Sequence, residues 1–199
     1  MRGSGAVSDE HWAMVREAEA LLPHISVERR RIESTVRNAA GILRFREGDL
    51  VAARDEYARA KEAAMAIGDT LNQAVGAYNI AEISEMTGDL AAAAAGYAAA
   101  ADGFREGELH QHHAFAAQAG ALALELAGEI EQAQDVQADA VLAARRTGMS
   151  ALIAETLATA ARLARAGGDL AVSLEYAREV MRLDPDGPHG SAAAQLLAG

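Results

Sequence analysis

Between residues 48 and 60, apolar and small side chains fall at Leu50, Ala53, Tyr57 and Ala60, while Arg54, Asp55, Glu56 and Arg59 occupy positions between them. Offsets of three and four put the first set on one face of a helix and the charges on another. The pattern returns 40 residues later as Leu90, Ala93, Tyr97 and Ala100, then as Ile130, Ala133, Gln137 and Ala140, and finally as Leu170, Ser173, Ala177 and Val180. Each copy begins at a joint of one design: Gly48-Asp49-Leu50, Gly88-Asp89-Leu90, Gly128-Glu129-Ile130 and Gly168-Asp169-Leu170. Seven residues before each joint glycine stands another small residue, Gly41, Ala81, Ala121 or Ala161. Self-similarity at a fixed period of roughly 20 to 50 residues marks a solenoid, whose units bury their apolar faces only against their neighbours.

A second glycine lies about halfway through each unit, at Gly68, Gly107, Gly148 and Gly187, so each repeat reads as two helices. Short joints leave helices of about 17 residues, or about 25 Å, and make consecutive helices antiparallel. At the main joints the glycine closes one helix in the left-handed conformation and the aspartate caps the next, with Glu129 a weaker substitute. Small residues then mark where helices approach closely, Leu50, Leu90, Ile130 and Leu170 fill an apolar site just inside the second helix, and Tyr57 and Tyr97 are the large knobs. The stretch from Ala91 to Ala101 holds only alanine, Gly96 and Tyr97, yet it stays in register and reads as helix. One period back, Ser8 takes the joint position with Ala13 and Ala20 at the small sites. Residues 9–25 therefore read as a half repeat, with Trp12 against the next helix and Pro23 ending this one. Residues 191–198 read as a short capping helix.

Composition agrees with this picture. Half the residues are apolar, aromatics are 4%, and only Pro23, Pro185 and Pro188 interrupt. There is no cysteine, so neither disulfides nor thiolate metal sites are available. No apolar run has signal-peptide or membrane-span length, which sets a cytoplasmic, non-membrane expectation. Residues 1–8, MRGSGAVS, read as a small polar lead. The net charge of −11 is uneven. From Glu62 to Asp139 the only cation is Arg105, against thirteen carboxylates, whereas residues 26–46 carry six arginines against Glu28 and Glu33. Nucleic-acid binding needs a continuous basic footprint and is not expected. An acidic middle fits a protein or peptide partner with basic residues, or weak self-association through the basic head.

The pattern G-D-L-x-x-A-x-x-x-Y-x-x-A, present as Gly48 to Ala60 and Gly88 to Ala100, resembles the tetratricopeptide repeat, and Arg182-Leu183-Asp184-Pro185 is similar to that family's closing L-D-P. The common repeat of that family is about 34 residues long. The period of 40 resembles its longer variety in bacterial regulators and kinesin light chains. The resemblance implies an all-α, right-handed superhelical solenoid of about ten helices. Its units would be a half repeat at 9–25, repeats at 26–67, 68–107, 108–147 and 148–187, and a cap at 188–199. It also implies a ligand groove lined by the first helix of each repeat. Carried through the glycine register, the groove residues are Asn38, Ile42 and Phe45; Tyr78, Glu82 and Glu85; Phe115, Gln118, Leu122 and Glu125; and Arg162 and Arg165. Amides such as Asn38 and Gln118 would bond an extended peptide, although Phe45, Phe115 and Leu122 have equal standing as core. The lysine-asparagine carboxylate clamp of chaperone-binding relatives is missing.

Catalytic signatures are missing too. Lys61, the single lysine, follows no phosphate-binding loop, and neither a G-x-S-x-G nor an H-E-x-x-H element occurs. His110 and His113, at i, i+3 with Glu106 nearby, are weak metal candidates beside the plainer reading of a solvated helix start. No cofactor and no enzymatic activity are expected. The function expected is a protein-interaction scaffold. The alternatives are a sensing segment of a bacterial transcription or signalling regulator, and a self-assembling scaffold.

Overall fold

At each main joint the backbone turns through a left-handed glycine, with φ of 83° at Gly48, 84° at Gly88 and Gly128, and 86° at Gly168. The next amide then reaches back to close the previous helix: Asp49 N–H to Arg44 O (3.0 Å), and Asp89 to Ser84, Glu129 to Leu124 and Asp169 to Ala164 at 2.9 Å. Turned the other way, Asp49 Oδ1 accepts from the Ala52 amide (3.0 Å), Asp89 from Ala92 (3.1 Å) and Asp169 from Val172 (3.0 Å). Glu129 makes no such cap.

These joints string together helices that run, in a computed structural model describing residues 7–25 and 28–198, as α1 Asp9–Leu21, α2 Arg29–Glu47, α3 Leu50–Met65, α4 Thr70–Met86, α5 Leu90–Glu106, α6 His110–Leu126, α7 Ile130–Thr147, α8 Ser150–Ala166, α9 Leu170–Leu183 and α10 Pro188–Ala198. A 3-10 turn, Leu22–His24, carries Pro23 after α1. Each helix packs on its neighbours in sequence, and α2 also touches α4, α6 touches α8, and α8 touches α10. Among the described residues no helix is long and apolar enough to cross a membrane. Most of the lead at residues 1–8 lies outside the described residues.

The small positions are where the helices meet. Ala53, Ala93, Ala133 and Ser173 are fully buried, and Ala60, Ala100, Ala140, Val180, Ala81, Ala121 and Ala161 are buried as well. At Gly41 a β-carbon would stand 2.5 Å from the Tyr57 ring, and at Gly96 it would stand 2.8 Å from the Ala81 β-carbon. The alanine-rich α5 therefore lies close against α4, as its register predicts.

Gly107 stops α5 as expected, but it is not left-handed: its φ is −81°, and Glu108 takes that conformation at φ 56°. Gly68 and Gly148, both at 69°, lie 20 residues after a main glycine, so position 108 is the one in register. Three expectations are corrected. Gly187 does not close α9. That helix ends at Leu183, and Asp184 Oδ2 accepts from the His189 amide (3.1 Å) and the Gly190 amide (3.4 Å) in the first turn of α10. Leu170 is 53% exposed, unlike its half-buried equivalents Leu50, Leu90 and Ile130. Ala13 and Ala20 are also exposed. Helix α1 instead packs Trp12, Val15 and Ala18 on Val36, Ala40 and Leu43. Trp12 Nε1 donates to Glu47 (2.6 Å), and the Arg44 guanidinium lies 4.5 Å above the indole.

A non-glycine residue in the left-handed region costs about 1–2 kcal/mol. Glu108→Gly is therefore expected to stabilise the protein by about 1 kcal/mol, read as a raised urea midpoint with unchanged slope; an equal or lower midpoint contradicts this account of the joint.

Candidate binding groove

The first helices α2, α4, α6 and α8 lie side by side, and α10 takes the place of a fifth. Their shared face holds two adjoining cavities. One, of about 530 Å³, lies between α4, α5 and α6 and is mainly apolar, with Tyr78, Phe104, His112, Phe115, Gln118 and Leu122 in its lining. The other, of about 490 Å³, lies between α6, α8 and α10 and is more polar, with Glu155, Thr159, Arg162, Arg165 and His189 in its lining. Gln118 borders both.

Several of the polar residues assigned to the groove are engaged inside the protein. Gln118 is buried; its Nε2 donates to Glu155 (3.0 Å), and its Oε1 accepts from Gln137 Nε2 (3.4 Å). Asn38 Oδ1 accepts from Asn79 Nδ2 at 2.9 Å, joining α2 to α4. Glu125 receives both arms of the Arg162 guanidinium, one at 2.8 Å, joining α6 to α8. Glu85 accepts from the Tyr97 hydroxyl (2.8 Å), and the Tyr97 ring stands edge-on to Tyr78 at 5.2 Å. A peptide can therefore not claim both faces of the Gln118 amide without displacing Glu155 or Gln137.

The apolar candidates separate. Phe115 is 39% exposed and lines the first cavity with Leu122. Phe45 packs on the buried cluster of Ala53, Tyr57 and Ile83. Ile42 borders a third, apolar cavity of about 320 Å³ between α1 and α2, beside Met14 and Val15. Glu82 is half-buried and has no ion-pair or hydrogen-bond partner among the described residues, and the same holds for Arg165, which is exposed. Asn79, Phe104, His112 and the α10 residues His189 and Gln195 also line the cavities and were not among the groove residues expected from the sequence. The α10 pair belongs to the helix read from residues 191–198 and its first turn, a cap now seen to take the place of a further first helix.

The histidine cluster divides in the same way. His113 is buried, with Nε2 2.7 Å from Asp139 Oδ2, which ties α6 to α7. His112 tilts against Phe104 at 5.3 Å. Among the described residues no group of three or more side chains is placed to hold a metal ion. The basic head is also largely paired within the chain: Arg37 reaches Glu19 (2.6 Å) and Glu56 (3.2 Å), Arg30 reaches Glu33, and Arg31 reaches Glu28.

Carboxylates and tyrosines crowd the α4 end. Burial, and then the neighbouring Glu85 charge, hold the Glu82 carboxyl above the usual carboxylate range. Burial, followed by Glu82, pushes the Tyr57 phenol up to about 12, with Arg46 opposing. Burial, followed by Glu82 and Glu85, also raises Tyr78, and burial, followed by the hydrogen bond to Glu85, raises Tyr97.

With this geometry in place, likeness to known proteins is informative about architecture. No protein-family model and no curated protein sequence matches the chain. Solved structures do match it. BtubC (BKLC) from P. vanneervenii superposes with a TM-score of 0.69 at 17% identity, over 87% of this chain and 74% of that one. The apo form of RapI gives 0.77 at 14% identity, over 94% of this chain and 52% of RapI. A Rap protein complexed with Competence and Sporulation Factor gives 0.59 at 18% identity, over 94% and 50%. The fold is a tetratricopeptide-like helical-repeat solenoid. The chain spans about half the length of the two Rap chains.

A carboxyl raised in the folded state stabilises fully below its unfolded value, and that contribution is lost as pH rises through its folded value. Glu82→Gln removes the charge whose burial is unfavourable. It is expected to raise the melting temperature at pH 7 and to leave it nearly unchanged below the ordinary carboxylate range. Thermal scans from pH 3.5 to 7.5 test this, and a variant equally stabilised at every pH contradicts it.

Proposed function

We propose that this chain is a protein-interaction module that binds a peptide or an extended partner segment along the face of α4, α6 and α8. The observation that carries the reading is the open apolar cavity holding Phe115, a large side chain 39% exposed beside Phe104 and Leu122. A partly exposed aromatic in a cavity of this size gives an apolar side chain of a partner a place to be desolvated, and such anchors supply most of the energy in interfaces. The structural neighbour that holds Competence and Sporulation Factor supports a ligand-binding use of this architecture. The module acts by binding, not by catalysis, and needs no cofactor. Cytoplasmic location and the 40-residue bacterial variety of the repeat belong to the same reading.

A second reading, a sensing segment of a longer bacterial regulator, is supported by the match to about half of each Rap chain. Self-assembly through a basic head has less support, because Arg30, Arg31, Arg37 and Arg44 have partners within the chain.

Panning a random decapeptide display library against the wild type and against Phe115→Asp tests the main reading. Wild type is expected to enrich a consensus that the variant loses, while its circular dichroism stays helical. If wild type enriches nothing, or Phe115→Asp enriches the same sequences, the groove is not the binding surface.

A further inference from the structure

Building on that reading, we infer that the groove takes a short extended peptide in one direction, with a basic side chain at Glu82, an apolar side chain in the cavity of Phe115, and an acidic group at Arg165 beside α10. The two ends of the face carry opposite charges that the protein leaves unmatched. At the α4 end, Glu82 is without a cation, and Glu85 is bonded only to a neutral phenol. From Glu62 to Asp139 the single cation is Arg105, and it sits on Asp102 at 2.5 Å. Outside this stretch, Arg46 of α2 shares the surroundings of Tyr57 with Glu82, but no ion pair joins the two among the described residues. At the other end Arg165 has no ion pair among the described residues, while Arg162 is held by Glu125. His189 and Gln195 of α10 and Thr159 of α8 line the same cavity and offer further hydrogen-bonding groups.

Spacing sets the length of the occupant. Directly packed helices lie about 8–10 Å apart; α6 and α8 touch, whereas α4 and α6 are joined through α5, so the two steps from α4 to α8 separate the charged ends by at least about 20 Å. An extended chain rises about 3.3 Å per residue and covers that span with about six residues. The groups along the path favour an extended backbone over a helix. The Asn79 carboxamide oxygen and the Gln195 amide have no hydrogen bond among the described residues, and a helix would leave them unused because its backbone groups bond one another. An apolar segment alone, or a tail of one charge, would leave one end of the groove facing its own uncompensated charge. A peptide bearing both charges matches both ends, and reversing it would place like charges together.

The decapeptide library panned on wild type, Glu82→Gln, Arg165→Gln and Phe115→Asp decides the matter. Both charge-removing variants are expected to fold, since neither side chain has a bonding partner to lose. Wild type is expected to enrich sequences in which Lys or Arg and Asp or Glu lie about six positions apart, in one order, around an apolar residue. Glu82→Gln should lose only the basic preference and Arg165→Gln only the acidic one. A synthetic peptide with the selected sequence, tested by fluorescence anisotropy beside its reversed sequence, should bind where the reversed one does not. Enriched sequences without paired charges, with apolar residues at i, i+3 and i+4 spacing, or unchanged in the two variants overturn the polarity while leaving groove binding in place. Failure of wild type to enrich anything, or enrichment insensitive to Phe115→Asp, removes the groove reading as well.

Discussion

Two helices can lie only as near as the side chains between them allow, and the placing of every other group in this solenoid depends on how near they lie. Gly41 is the clearest case, because the Tyr57 ring occupies the space where a β-carbon would stand. Gly103 meets the Ala74 β-carbon in the same way that Gly96 meets Ala81, so α4 and α5 are in contact along much of their length. Buried alanines contribute little apolar area each, and the stabilisation comes from many short contacts between well-packed helices. In a solenoid those contacts are all between neighbours, so the spacing at one pair sets the position of the next. The groove is the outer consequence: its width is the sum of interfaces made of glycine and alanine.

That constraint was legible in the residues because it is local and repeated. The offsets of Ala53, Tyr57 and Ala60 from Gly48 recur with the same residue types, and a type recurring at a fixed offset points to one packing role. Reading failed where geometry persisted and residue type did not. At the joint between the second and third repeats the backbone keeps its 20-residue step and puts Glu108 in the left-handed conformation, although glycine stands one position earlier. It failed again at the first helix, where the register puts Ala13 and Ala20 at the small sites but both are exposed, and α1 packs on α2 through Trp12 and Val15.

The site was less legible for a different reason. Helical register tells which side chains share a face, but not which of them bond each other across repeats. Asn38 and Asn79 lie 41 residues apart, Gln118 and Glu155 lie 37 apart, and so do Glu125 and Arg162. Each of these residues is equally well placed to meet a ligand or a neighbour, and only three-dimensional distance separates the two uses. The apolar members divided on burial, with Phe45 inside and Phe115 at the surface.

These cross-repeat bonds bear on how the groove recognises anything. The Arg162–Glu125 pair is about half exposed on the arginine side, and exposed pairs contribute little stability. Its effect is geometric: with Gln118–Glu155 it ties α6 to α8, as Asn38–Asn79 ties α2 to α4, on the face where a ligand would lie. Gln137 reinforces this from behind by donating to Thr156 O at 2.8 Å in α8. A face held at fixed spacing loses little freedom when a partner settles on it, and lower ordering cost leaves more of the contact energy as affinity. The polar residues of this surface thus divide into those that set the spacing and those left free to pair. Among the described residues Glu82 on α4 and Arg165 on α8 are left free, and the α4–α6 step between them, which holds the apolar cavity, is set by the packing of both helices on α5.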